Sequence, residues 1–183
     1  AGDWGQPSLE NPWFNEIPKH DFNVGYDYNH EAPRVREFTK RVLDHWLENY
    51  HIDGFRMDLS KGFTQNNTLG NTGAWGAYDQ SRVDILNDYY SHIQNTESGS
   101  YFILEHFADN SEETALSNSG MMLWGNLNHE YTEGAMGWSS DFSWGSYQQR
   151  GWNDPHLVTY MESHDEERMM YQNVEFGNGS GDY

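Results

Sequence analysis

Short apolar runs alternate with amphipathic helical patterns along most of this sequence. The run at 101–107 is almost wholly apolar up to Glu105, which is typical of a strand buried on both faces of a parallel sheet. Apolar residues at helical spacing predict the helices. The helices are predicted at 32–50 and 79–94, and the strands at 52–59, 101–107, 120–124 and 157–161. This alternation predicts an α/β fold with a parallel sheet.

The segments between these elements are predicted mainly as loops. Residues 1–31 contain three prolines and no periodic pattern, so they are predicted as a loop region leading into the first helix. Pro33 fits the first turn of that helix. A short helix is predicted near 112–116, with Ser111 as its cap. Loops are also predicted at 64–76 and 173–183, and no pattern assigns 130–154.

The composition narrows the classes of partner. The formal net charge is −19, so the chain repels nucleic acid phosphates and anionic membrane surfaces. Aromatic residues make up 16% of the chain, too many for a disordered acidic chain. Aromatic rings pack on flat sugar faces and carboxylates bond to hydroxyls, so the composition favours a neutral carbohydrate. The alternative is that aromatic residues fill the core and acidic residues keep the protein soluble.

The chain has no cysteine, which excludes disulfides, thiolate chemistry and zinc sites built on cysteine. No apolar run approaches the roughly 20 residues of a transmembrane helix, so membrane insertion is not expected. Residues 1–5 carry neither the basic nor the apolar region of a signal peptide, and a processed secreted protein would look the same.

Residues 53–58 (DGFRMD) form the first candidate site. Side chains alternate along a strand, so Arg56 and Asp58 are predicted to point to the same side. A guanidinium keeps a neighbouring carboxylate ionised, which a nucleophile at a sugar carbon requires. Asp58 is also predicted at the C-terminal end of its strand, where α/β barrels place catalytic groups. A structural Arg–Asp pair would give the same pattern.

Glu105 is the second candidate, at the edge of an apolar run. Partial desolvation raises the pKa of such a carboxyl and lets it hold a proton near neutral pH. A general acid at a glycosidic oxygen needs that proton. Taken alone, the pattern fits a glutamate that emerges into solvent better than a general acid.

His164 and Asp165 are the third candidate, at the end of the strand predicted from Leu157. A carboxylate there can hold sugar hydroxyls and stabilise positive charge in a transition state, and the imidazole can donate to another hydroxyl. A helix-start aspartate beside a surface histidine is the alternative.

The order and spacing of these motifs resemble the α-amylase family of glycoside hydrolases. Residues 53–58 resemble the family's second conserved region at its fourth barrel strand, residues 103–105 (ILE) the third region at strand five, and residues 161–165 (MESHD) the fourth region at strand seven. Residues 120–124 (GMMLW) fall where strand six is expected, and residues 22–30 resemble the approach to strand four in bacterial secreted amylases. The resemblance covers nearly the whole chain. It implies a (β/α)8 TIM barrel, of which about strands 4 to 7 are present.

The resemblance also implies the reaction. Asp58 would be the nucleophile, Glu105 the acid/base and Asp165 the transition-state stabiliser of a retaining hydrolase. Such an enzyme cleaves α-1,4-glucosidic bonds in starch-like α-glucans through a covalent glycosyl-enzyme intermediate. Retention predicts carboxyl groups of Asp58 and Glu105 near 5 Å apart, rather than the inverting gap of roughly 6.5–9.5 Å.

Substrate contacts follow from the same resemblance. Arg56 is expected to orient the nucleophile, His164 to contact the sugar and Lys61 to bind the next glucose. Two positions depart from the pattern, because many members have His where Gly62 stands and Asn where Ser163 stands. Both departures indicate a subfamily variant.

The family's first conserved region, an Asp followed by Asn-His at strand three, is not found. Neither Asn29–His30 nor Asn128–His129 follows an apolar strand that ends in Asp. The absent region normally supplies a substrate-binding His and a calcium-ligating Asn. Calcium is therefore an expectation of the resemblance, and its ligands in this chain are unknown.

A barrel of this type needs about 250 residues, and four strands leave two unpaired edges. We therefore expect residues 1–183 to be a partial catalytic barrel domain that needs further residues of its own chain. Within it, 1–31 would lead into the helix before strand 4. A self-complementing dimer would be the other way to cover the edges.

Alternative functions stay open from sequence alone. A debranching enzyme, an α-glucosidase or a glucanotransferase would share the three carboxylates and differ in the loops that shape the cleft. An inactive glycan-binding relative or fragment is an alternative of another class, as is an unrelated acidic structural domain. Family habit suggests an extracellular, periplasmic or cell-surface location.

Overall fold

The computed structural model describes residues 7–22 and 25–179. Helices and strands alternate along the chain, with short 3-10 turns at Ser60–Phe63 and Ser143–Gly145. In chain order the elements are α1 (Pro33–Tyr50), β1 (Gly54–Met57), α2 (Thr72–Gly76), α3 (Gln80–Thr96), β2 (Tyr101–Leu104), α4 (Asn110–Asn118), β3 (Met122–Asn126), α5 (Asn128–Ala135), β4 (Leu157–Tyr160) and α6 (Met169–Phe176).

The four strands form one parallel sheet in the order β1-β2-β3-β4. Parallel neighbours need a crossover connection, and helices α3, α4 and α5 lie in the three crossovers. The predicted α/β class with a parallel sheet is therefore confirmed. Because all strands run the same way, their C-terminal ends lie along one edge, and residues that follow β1 and β2 are neighbours there.

The core lies between one face of the sheet and helices α1, α3 and α4. Strand residues alternate between this face and the opposite one, so Phe102 and Leu104 are fully buried while Tyr101 is exposed. The buried cluster consists of Leu43, Leu47, Val83, Ile85, Leu86, Tyr89, Ile93, Phe102, Leu104, Leu116, Met121, Leu123 and Trp152.

β1 and β2 approach closely at Gly54, the second residue of the predicted active-site motif 53–58. Gly54 has φ +157°, and a Cβ there would lie 2.2 Å from the carbonyl oxygen of Tyr101. Only glycine tolerates this approach. The register that pairs Gly54 with Tyr101 then pairs Met57 with Leu104, so the residues after both strands emerge side by side.

The apolar residues of α1, whose helical spacing predicted this helix, form two stripes of different exposure. Side chains at every fourth position form a second, exposed stripe beside the buried one, because α3 packs against only one side of α1. The buried stripe contains Val35, Leu43 and Leu47, and the exposed stripe contains Phe38, Val42, Trp46 and Tyr50.

Several element ends also differ from prediction. β1, β2 and β4 are shorter than expected, so His164 and Asp165 lie in a turn beyond β4 rather than at its end. Asp109, not Ser111, caps α4, because its carboxylate accepts the backbone N–H of Ser111 at 2.9 Å. Residues 173–176 belong to α6, although they were expected in a loop.

Some sequence-based expectations fall outside the described residues: those on the signal peptide (1–5), on positions 23–24 of the 22–30 segment and on the chain end (180–183). Within the described part of 1–31, the only strand-like feature is a bridge between Phe14 and Tyr28. None of the described helices combines the length and the apolar character that a membrane crossing demands.

Candidate active site

Arg56 brings the first two predicted carboxylates together. Its Nη1 contacts Oδ1 of Asp58, and its Nη2 lies 2.7 Å from Oε2 of Glu105. The second contact is an ion pair rather than an aligned hydrogen bond. Asp58 follows β1 and Glu105 follows β2, so one guanidinium joins the C-terminal ends of two adjacent strands.

The two carboxyl groups have different surroundings. The Asp58 side chain is 74% exposed, whereas that of Glu105 is 10% exposed. Burial raises the pKa of Glu105; the N–H of Leu59 and the charge of Arg56 act against this rise, and the nearby Asp58 carboxyl adds to it. A buried carboxyl with a raised pKa beside an exposed one is the arrangement that lets two carboxyls take different roles.

A strained turn aims a backbone donor at Glu105. Leu59 has φ +42°, in the left-handed region that a leucine rarely adopts. Its N–H donates to Oε2 of Glu105 at 2.9 Å. Phe107, two residues past Glu105, also has positive φ. Strain of this kind persists where surrounding structure imposes it, and it clusters at functional sites.

Aromatic side chains of β3 and β4 complete this face of the sheet. The Arg56 guanidinium carbon lies 4.1 Å from the centroid of the Trp124 ring, a cation–π contact that holds the guanidinium plane. Trp124 in turn packs on Tyr160, with ring centroids 4.7 Å apart. The motif analysis did not single out either residue, although the apolar run at 120–124 contains Trp124.

The third predicted carboxylate is not joined to the first two. The Asp165 side chain is 60% exposed and lies 3.5 Å from Nε2 of His164, itself 66% exposed. In the part of the chain that the structure describes, neither residue makes a hydrogen bond or ion pair with Asp58 or Glu105.

Glu166, which no sequence motif singled out, ties this turn to the sheet. Its carboxylate accepts hydrogen bonds from the Ser163 N–H at 2.8 Å, from Asn126 Nδ2 at 2.6 Å and from the Tyr160 hydroxyl at 3.3 Å. Desolvation opposes ionisation, but the hydrogen bonds prevail and lower the pKa of Glu166. It therefore anchors the loop that carries His164 and Asp165.

Lys61 lies one turn beyond Asp58. Its Nζ donates to the carbonyl oxygen of Phe107 at 2.8 Å and lies 4.2 Å from the centroid of the Trp75 ring. Burial lowers the pKa of Lys61, and the nearby Arg82 charge adds to this effect. The residue thus joins the loops that follow β1 and β2, and its predicted contact with a glucose unit stays a prediction.

The departure at Gly62 has a steric cause in this chain. A Cβ at position 62 would lie 2.9 Å from Nε2 of His20. The His20 ring is buried and stacks on Trp75, with centroids 4.9 Å apart. An imidazole from residue 20 therefore occupies the space where a side chain at position 62 would start.

Metal binding finds no support in the donor groups of the described residues. Across 7–22 and 25–179, no group of three or more His, Cys, Asp or Glu side chains has a metal-binding arrangement. Calcium binding therefore stays a prediction from the resemblance.

Matches to known proteins cover part of the chain. A 1,4-alpha-glucan branching enzyme (GlgB) of Aliivibrio fischeri is 31% identical over 102 residues, which make up 50% of this chain and 13% of that protein. Isoamylase 1 (chloroplastic) of Arabidopsis thaliana is 31% identical over 75 residues, 39% of this chain and 9% of that protein. Alpha-amylase 3 of Dictyoglomus thermophilum is 23% identical over 109 residues, 51% of this chain and 19% of that protein. The chain is related to the α-amylase family.

The matches span only 9 to 19% of the length of these α-amylase-family relatives. Among solved structures, Eubacterium rectale Amy13B matches with a TM-score of 0.48 and 18% identity, covering 63% of this chain and 21% of that one. No family model matches the sequence. The sequence matches support a likeness of parts of the chain to α-amylase-family enzymes.

Proposed function

We propose that this chain is the part of a (β/α)8 barrel that carries the catalytic carboxylates of a retaining α-glucan hydrolase. Its substrate class is α-1,4-linked glucan of the starch type. Asp58 attacks the anomeric carbon and forms a covalent glycosyl-enzyme, while Glu105 protonates the departing glycosidic oxygen. Water, deprotonated by Glu105, then releases the sugar with its configuration retained.

One observation carries the proposal: a single guanidinium contacts the carboxylates of both Asp58 and Glu105. Carboxyls that share one cation lie near each other, as the short carboxyl separation of retaining enzymes requires. The contact therefore supports a double-displacement reaction.

The unequal exposure of the two carboxyls supports different roles for them, nucleophile for Asp58 and acid/base for Glu105. Asp58 is open to a substrate and paired with Arg56, which suits a nucleophile that must be ionised. Glu105 is buried and its pKa is raised, which suits a group that must carry a proton near neutral pH. The stabilising role of Asp165 and the sugar contact of His164 rest on the family resemblance alone.

Uncovered apolar surface supports the partial barrel. Phe38, Val42, Trp46 and Tyr50 form an exposed stripe along α1, and among the described residues β1 pairs on one side only. A soluble protein normally covers such a stripe and such an edge. Further strands and helices of the same chain would do so in a closed barrel, in which four strands are half the ring.

The relatives keep other reactions of the same chemistry open. One is named a 1,4-alpha-glucan branching enzyme, one an isoamylase and one an alpha-amylase. Debranching, α-glucosidase and glucanotransferase activities use the same carboxylates, so the carboxylates do not distinguish among these activities. Product analysis on starch, pullulan and maltotriose does. Calcium binding and an extracellular or periplasmic location stay proposals of the resemblance.

The test compares the complete protein with its Asp58→Asn variant on these substrates. We expect the parent to release α-configured products and the variant to lose glycosyl-enzyme formation while keeping its circular dichroism spectrum and melting temperature. Undiminished turnover in the variant would rule out the assignment of Asp58. A parent that binds glucans without cleaving them would favour the inactive glycan-binding alternative.

A further inference from the structure

A chain of fully buried polar side chains lies directly behind Glu105. Arg82 and Glu112 have no exposed side-chain surface and form a two-point ion pair, Nε to Oε1 at 2.5 Å and Nη2 to Oε2 at 2.9 Å. Oε1 of Glu112 also lies 2.6 Å from Nε2 of His106. Nδ1 of His106 lies 2.8 Å from the hydroxyl of Ser60.

The chain ends on the backbone of Glu105. The N–H of Ser60 donates to the carbonyl oxygen of Glu105 at 2.9 Å, and the Ser60 hydroxyl lies 3.0 Å from the same oxygen. Ser60 is thus held from two sides, by the strand end that carries Glu105 and by His106. This arrangement fixes Ser60 relative to the peptide that bears the proposed acid/base.

Ser60 immediately follows the strained residue Leu59. The left-handed conformation of Leu59 is unfavourable for a leucine and needs neighbours that impose it. Ser60, the next residue, is held by its contacts with Glu105 and His106 and therefore constrains Leu59 from the C-terminal side. The consequence is that the Leu59 N–H points at Oε2 of Glu105, where it stabilises the ionised form.

The order Ser60, His106, Glu112 has the connectivity of a serine nucleophile, its base and the group that orients the base. Complete burial excludes that role, because no substrate can reach the Ser60 hydroxyl. Burial also lowers the pKa of His106, despite its contact with Glu112. A neutral His106 that donates from Nε2 to Glu112 accepts at Nδ1, so the single hydroxyl proton of Ser60 is shared between Nδ1 of His106 and the carbonyl oxygen of Glu105.

We propose that Ser60, His106 and Glu112 are positioning residues that hold the Leu59 N–H on the carboxyl of Glu105 and so set the proton affinity of that carboxyl. This inference rests on the proposed role of Glu105 as acid/base. The other groups that face Glu105 are Arg56 and Asp58 from the β1 end and Tyr160 from β4, and none of these touches the buried chain.

The test is Ser60→Ala in the complete protein, with Ser100→Ala as its control. Both serines are buried, and Ser100 lies at the opposite end of β2, where its hydroxyl has no partner among the described residues. The pKa of the Glu105 carboxyl is measured by ¹³C NMR titration. The kcat and KM for maltooligosaccharide hydrolysis are measured as functions of pH. His106→Gln, which keeps a polar group of similar reach, is measured in parallel.

We expect Ser60→Ala to raise the pKa of Glu105 by about half a unit to one unit, since a donor to the ionised form is loosened. The alkaline limb of kcat/KM should move up with it, and kcat should fall about tenfold while KM changes less than about twofold. His106→Gln should likewise raise the pKa of Glu105 and lower kcat, whereas Ser100→Ala should change neither the pKa nor kcat.

A folded Ser60→Ala protein with the parent's Glu105 pKa and kcat would overturn the proposal. Equal shifts in the two serine variants, or unfolding of both Ser60→Ala and His106→Gln, would also overturn it in favour of a purely structural network. The titration does not need turnover. A parent that cleaves no glucan therefore ends the proposed function, while the NMR result still decides the positioning role.

Discussion

Oε2 of Glu105 lies 2.7 Å from Nη2 of Arg56, which projects from the neighbouring strand. The same guanidinium contacts Asp58, so one cation offsets the repulsion between two carboxylates that face a common space. Trp124 lies against the guanidinium and limits its rotation. These contacts make Arg56 the residue on which the geometry of the proposed site depends most.

Arg56→Lys should lower kcat/KM by about 100-fold, because a single ammonium cannot hold two carboxylates in a fixed plane. The ammonium cannot sit as close to Glu105 as the guanidinium does, so it opposes the rise of the Glu105 pKa less, and the alkaline limb of the pH–rate profile should move to higher pH. Arg41→Lys, on the exposed side of α1, is the matched control and should leave the profile unchanged. A profile for Arg56→Lys identical to that of the parent would contradict the bridging role.

Glu105→Gln should affect substrates according to their leaving groups. A natural glucan needs protonation of its departing oxygen and should lose about 10²- to 10⁴-fold in rate. An activated aryl or fluoride leaving group departs without a proton and should lose much less in the glycosylation step. Pre-steady-state rates on both substrate types measure this ratio, and equal losses would argue against an acid role.

Gly62→Ala should destabilise the protein by about 1 to 3 kcal/mol, because the added Cβ meets the His20 ring at 2.9 Å. Gly76→Ala is the control, since no atom lies within 4 Å of a Cβ added there. In a His20→Ala background the cost of Gly62→Ala should largely disappear, which a double-mutant cycle of unfolding free energies detects. Additive effects of the two substitutions would contradict the steric account.

Glu113 is expected to make stability depend on pH. Its carboxylate contacts Arg150 Nη1 at 2.9 Å, and burial raises the pKa of Glu113 to about 7. A carboxyl whose folded pKa exceeds its unfolded value contributes stability that is fully present below the unfolded pKa. That stability is lost as pH rises through about 7.

Glu113→Gln removes this titration, so the melting temperature of the variant relative to the parent should rise between about pH 5 and pH 8. The corresponding free-energy change is about 1 to 3 kcal/mol. Glu97→Gln, an exposed glutamate at the end of α3, should show a constant difference from the parent across the same range. If the melting temperature of Glu113→Gln relative to the parent falls as pH rises, the prediction is contradicted.

Local patterns in the sequence predicted the parallel α/β architecture, and the family resemblance predicted that Asp58 and Glu105 lie close together. The apolar run that ends at Glu105 and the alternation that places Arg56 beside Asp58 are both local signals, and the parallel sheet aligns the two strand ends. Lys61 was predicted from the family pattern alone, and its contact with Phe107 joins segments 46 residues apart.

The features that escaped prediction depend on long-range packing. The Arg82–Glu112 pair and the Ser60–His106 contact join residues 30 and 46 positions apart, and no sequence period reports such pairs. The exposed half of the α1 stripe has the same helical spacing as the buried half, so periodicity cannot tell which half α3 covers. Glu166 stands in an acidic run where charge alone does not distinguish an anchor from a solvated side chain.

The most direct measurement is the mass of the complete protein after reaction with a fluorinated glucosyl fluoride, which slows hydrolysis of a glycosyl-enzyme. Proteolysis and tandem mass spectrometry then locate any label. The proposed mechanism predicts one glucosyl adduct, on the carboxylate of Asp58, and none in Asp58→Asn. Hydrolysis without an adduct and with inverted products, or an adduct on another residue, would contradict it.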